Sequence, residues 1–151
     1  MPRSRPSSDG DVGERGSASL EFLTVGMILL VPLVYLVLAV ASIQAAAFGV
    51  EGAARQAARV AVLRADAAGS PGAVERTVRV VLADYGIDAG TASVDVDCSE
   101  ACDAPGSRIT VRVRALVALP LVPQVLASSS IGTVELRSSA THTVSRFAGA
   151  P

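Results

Sequence analysis

From Phe22 to Val50 the chain runs for 29 consecutive residues without a formal charge. About 20 apolar residues cross a bilayer core of roughly 30 Å, so this run reads as a membrane-spanning helix, and the rest of the fold must be arranged around it. The residue directly before the run is Glu21. A carboxylate at the centre of a spanning helix costs about 2.5–3.5 kcal/mol on insertion scales, and less near an interface. At the edge Glu21 is tolerable but not free, and a compensating positive group is expected. The plainer alternative is an interfacial, snorkelling residue at the end of a simple anchor. A cleaved secretory signal is disfavoured. Ala45-Ala46-Ala47 imitates a small-residue cleavage site, but the apolar region before it is far longer than the usual stretch of roughly 7 to 15 residues.

One span in 151 residues leaves room for one small domain outside the membrane. All 13 basic residues are arginine, the net charge is −1, and aromatics make up 3% with no Trp. A global basic field and base-stacking platforms are both missing, which argues against nucleic acid as a partner. Arginines do not orient the span. Arg3, Arg5 and Arg15 precede it, while Arg55, Arg59 and Arg64 follow it. The tie is broken by the short Pro/Ser/Gly-rich leader and by the only cysteines, Cys98 and Cys102, which lie in the larger C-terminal part. The expected topology is single-pass in the cytoplasmic membrane with the C-terminal domain extracytoplasmic.

Three segments follow. Residues 1–16 read as a removable cytoplasmic leader, 17–65 as the transmembrane helix and its extension, and 66–151 as an α+β domain. Pro32 inside the span predicts a bend or loosening around Met27 to Pro32. Beyond the span, Glu51 before Arg55 is the favourable order for a helical ion pair, and Ala53, Ala57 and Ala61 permit close backbone approach. That small-residue face is expected to pack on the chain's own domain rather than on another subunit. Ser70 and Pro71 are placed to open a second helix, with Val74, Val78, Val81, Leu82 and Tyr85 as its apolar stripe and Gly86 as its stop. Alternation then predicts three strands, carrying Val94, Val96 and Cys98, then Ile109, Val111 and Val113, then Val134, Leu136, Ala140 and Val144 on their apolar faces. Antiparallel pairing would bring Asp95 and Asp97 near Arg108, Arg112 and Arg114. The fold class is α+β: a long N-terminal transmembrane helix continuing into a small domain with a second helix and a three-stranded antiparallel sheet. The apolar stretch Leu116 to Leu126, broken by Pro120 and Pro123, is too short to span a bilayer and is left open as core or interface.

Cys98 and Cys102 fall at the turn between the first two strands, where a short disulfide loop is expected in an oxidising compartment. A metal centre needs more ligands than this, and the single histidine, His142, sits on the apolar register of the last strand and reads as structural. No glycine-rich phosphate loop, nucleophile elbow, paired-carboxylate site or metal cluster can be found in the sequence. Neither catalytic residues nor a cofactor are expected.

The segment Gly13-Glu14-Arg15-Gly16-Ser17-Ala18-Ser19-Leu20-Glu21-Phe22, followed by the apolar run and then Ala53-Ala54-Arg55-Gln56-Ala57-Ala58-Arg59-Val60-Ala61, resembles the opening of TadE-like proteins of the tight-adherence pilus system. The match covers about the first 65 residues well and the remainder loosely. The resemblance implies a pilin-like domain, and cleavage by a prepilin peptidase between Gly16 and Ser17 on the cytoplasmic side. It also implies that Glu21, beside Phe22, pairs with the freed N-terminal amine of a neighbouring subunit. The implied partners are the membrane, the peptidase and other pilin or TadE/TadF-like subunits. Whether such a chain enters the surface fibre or stays in the membrane is left open. The competing expectation is an unprocessed single-pass anchor presenting a small extracytoplasmic binding domain.

Overall fold

The computed structural model describes residues 17–64, 71–120, 122 and 132–147. In chain order these form α1 (Ser17–Leu63), α2 (Pro71–Asp84), a 3-10 turn (Ala89–Thr91), β1 (Ser93–Cys98), β2 (Arg108–Ala118) and β3 (Thr133–Thr143). The fold is α+β, as expected. By its contacts the chain divides into two compact units, Met1–Leu38 and Ala39–Pro151.

In the first unit α1 is apolar on every side and exposed from Ala18 to Leu38 except at the half-buried Tyr35, with Phe22, Leu29 and Leu36 each more than half exposed. A helix hydrophobic all round belongs in a large core or a bilayer, and this one is long and apolar enough to cross a membrane. Single-pass membrane anchoring is compatible with it. Pro32 lies inside the helix, and the expected loosening there does not interrupt it.

In the second unit the same helix changes character. Ala46, Val50, Ala53, Ala54, Ala57, Ala58 and Ala61 are all buried, recurring at spacings of three and four. They join Val74, Val78 and Leu82 of α2 and Ile109, Val111, Val113 and Ala115 of β2 in one hydrophobic core. The alanine face packs within the domain, as the sequence suggested, because short side chains let larger valines and isoleucines fill the space opposite. Fully burying such a side chain contributes about 1.5–3 kcal/mol. The Arg55 guanidinium pairs with Glu51 one turn earlier on the exposed side of α1.

Helix α2 opens at Pro71, a favoured first helical position, and closes at Gly86, whose φ of +68° suits glycine. Ser70, the expected cap, lies outside the described residues. Tyr85 departs from the predicted stripe: it follows the last helical residue and is 48% exposed.

The sheet has order β1-β2-β3, antiparallel throughout. Its central strand alternates buried and exposed residues from Ile109 to Ala115, and runs on to Ala118 through the start of the Leu116 stretch. Leu121 and residues 123–126 of that stretch lie outside the described residues. Val96 shares the inner register of Val94 and Cys98 but stays 43% exposed, because an edge strand is covered less completely. In β3 the inner register reads Val134, Leu136, Ser138, Ala140 and His142. Val144, just past the strand, is buried.

Candidate functional site

Glu21 stands in the second turn of α1, four residues beyond Ser17. At 3.6 residues per turn the two positions share a face, so a positive group at residue 17 would lie about 6 Å along the axis from the carboxylate-bearing residue. Glu21 is exposed and Phe22 beside it is 78% exposed. One turn after Leu20, the Thr24 hydroxyl donates to the Leu20 carbonyl at 2.8 Å, satisfying a polar side chain inside an apolar segment. Gly16, the other half of the expected cleavage position, lies outside the described residues. The structure thus places Ser17, Glu21 and Phe22 on a single helical element.

Cys98 and Cys102 are joined by a disulfide, with Cα atoms 5.4 Å apart. The bridge closes the start of the β1–β2 connection. That connection is also held by Arg108 N–H donating to the Ser99 hydroxyl at 3.0 Å and by Ser107 N–H donating to the Ala104 carbonyl at 2.9 Å. Val144 N–H donates to the Ser107 carbonyl and Gly106 N–H to the Val144 carbonyl, which ties the loop to the end of β3. Gly106, with φ of +88°, makes the turn possible. Glu100 and Asp103 project from this fastened loop, both exposed.

Facing solvent, the sheet carries the charge pattern that alternation implied. Arg112 lies opposite Asp95 and reaches both it, at 3.4 Å, and Asp97, at 3.7 Å. Arg137 and Glu135, two residues apart on one face of β3, form a two-pronged pair at 2.9 and 2.7 Å. Hydrogen bonding from Arg137 holds the Glu135 carboxyl below its ordinary value despite opposing desolvation, and the charges of Arg137 and Arg114 act in the same direction. Arg114 stands directly opposite Arg137. It makes no contact ion pair among the described residues. A shallow cleft of about 460 Å³ opens over this part of the sheet, lined by Arg112, Arg114, Arg137 and Ser139.

His142 pairs in register with Ile109, the expected apolar face, yet is exposed because it lies at the strand's end. No cluster of histidine, cysteine and carboxylate side chains suited to a metal ion occurs among the described residues. Sequence reasoning paired the aspartates with the arginines of β2 but missed the opposition of Arg114 and Arg137, which needs the β2–β3 register. No protein-family model, curated protein or solved structure matches the chain.

Proposed function

We propose that the chain is a non-catalytic, membrane-anchored pilus-assembly subunit of the TadE-like kind, cleaved after Gly16 by a prepilin peptidase. The observation that carries this reading is Glu21, one turn into an apolar helix that follows the Gly16-Ser17 step. An anionic group here is favoured by the positive end of the helix dipole and, after cleavage, by the new amine of Ser17. The Cys98–Cys102 bridge supports an extracytoplasmic domain, since disulfides persist in oxidising compartments. The division of labour within α1 fits the same role: an apolar first part for the bilayer, an alanine-lined second part for the domain core.

Gly16→Leu tests the reading. A small residue before the cut lets the extended leader approach the peptidase, and leucine removes that access. Expressed beside an intact prepilin peptidase, wild type should run shorter by the leader on a denaturing gel, and the variant should keep it. Equal mobility of the two would leave the unprocessed anchor as the better account.

A further inference from the structure

We infer that the arginine cleft on the outer face of the sheet is a docking site for the disulfide-fastened acidic loop of a second copy of this chain. Arg114 and Arg137 are direct cross-strand neighbours, an arrangement that places like charges a few ångströms apart and costs stability unless an anion offsets it. Arg137 already has Glu135, and Arg112 already has Asp95 and Asp97. Arg114 forms no ion pair of its own among the described residues, acting on the Glu135 carboxylate that Arg137 holds only through space, and it borders the cleft.

The matching anions are on the same molecule. Glu100 is exposed inside the loop that the Cys98–Cys102 bridge closes and Asp103 is exposed directly after it, and neither forms an ion pair with Arg108, Arg146 or any other arginine among the described residues. The bridge and the hydrogen bonds to β3 preorganise the loop, which lowers the ordering cost of inserting it into a partner. The loop cannot reach its own cleft. Arg108 begins β2 at the loop, and Arg114 lies six residues further on, about 20 Å along an extended strand. Donor loop and acceptor cleft therefore occupy different places on the domain, so the contact joins the loop of one copy to the cleft of another, once in a head-to-tail array or twice about a two-fold axis. Arg114 would form a two-pronged bond to one loop carboxylate, with Arg137 and the Ser139 hydroxyl within reach of the other. This inference does not rest on the pilus reading: an unprocessed anchor would make the same contact.

Two charge-reversed forms of the full chain in detergent micelles test it. Arg114→Glu spoils the cleft and leaves the loop acidic, while the double change Glu100→Arg, Asp103→Arg spoils the loop and leaves the cleft basic. Sedimentation at low salt should show self-association of wild type, weakened about tenfold or more in each variant alone. An equimolar mixture of the two should recover it, because each then offers the other a complementary pair. High salt should weaken the wild-type association. Variants that self-associate as wild type does, or a mixture that fails to recover, would overturn the proposal. So would wild type that stays monomeric while binding anionic vesicles through Arg114, which would assign the cleft to lipid headgroups. All the changed residues are exposed, and a cooperative thermal transition no lower than that of wild type will confirm that each variant is folded.

Discussion

A methyl group built on Gly49 of α1 would lie 2.7 Å from Cγ and 2.9 Å from Cβ of Tyr85, at the end of α2. Both atoms are near the backbone and cannot swing aside, so the two helices meet there at a distance only glycine permits. Gly49→Ala should therefore destabilise the domain by about 1–3 kcal/mol through overpacking, although alanine is the better helix former by about 1 kcal/mol. Gly52, one turn later, is the control. Its added methyl meets only Val81 Cγ1 at 3.9 Å, an ordinary contact, so Gly52→Ala should be neutral or stabilising. Chemical unfolding of both variants in detergent checks the pair, and equal effects would contradict the packing described.

The disulfide supports a second expectation. Thiol labelling of the exported protein under denaturing, non-reducing conditions should find no free cysteine. Changing Cys98 and Cys102 together to serine should cost about 2 kcal/mol or less, since so short a loop removes little chain entropy from the unfolded state. Two labelled thiols in freshly exported protein would contradict the bridge between Cys98 and Cys102.

Glu135 carries a pH dependence whose sign is determined. Its folded carboxyl titrates below the ordinary value of 4.5, chiefly because Arg137 donates to it. Its contribution to stability is thus fully present above about pH 4.5 and is lost as pH falls through the lower folded value. Glu135→Gln should flatten the acid limb of a stability–pH curve slightly and leave neutral pH nearly untouched, because solvent screens an ion pair on the exposed face of the sheet. An acid limb steeper than that of wild type would contradict this.

Much of the architecture was legible because it follows from periodicity. The uncharged run, the alanine spacing from Ala53 to Ala61, the Pro71 and Gly86 punctuation and the alternation through Val111 and Val113 each encode one element, and the described elements match them. Tyr85 misled because helical spacing cannot show that α2 has already ended, nor that its ring lies across Gly49. Val96 misled because alternation assigns a face but not how deeply an edge strand is covered. That Asp95 and Asp97 would lie near the arginines of β2 could be foreseen from two strands consecutive in the chain and joined across a disulfide-closed turn. The opposition of Arg114 and Arg137 could not, since a long connection separates their strands and only the register reveals it. At the N-terminal end, the sequence supplied the motif and the structure supplied its helical setting.

Glu21 should matter for assembly and not for insertion. Glu21→Val removes a charge that is costly near the bilayer, so the variant should be processed and accumulate in the membrane at least as well as wild type. It should nevertheless fail to support surface pili, and Glu21→Asp should retain part of the function. Normal piliation by the valine variant at normal expression would reduce Glu21 to an interfacial residue.

N-terminal sequencing of the mature protein, isolated from its own host, tests the processing step on which the proposed role depends. Cleavage between Gly16 and Ser17 predicts a chain beginning Ser-Ala-Ser-Leu-Glu-Phe, with Glu21 as its fifth residue and one helical turn from the new amine. A mature chain that begins at Met1 or Pro2 would contradict the account.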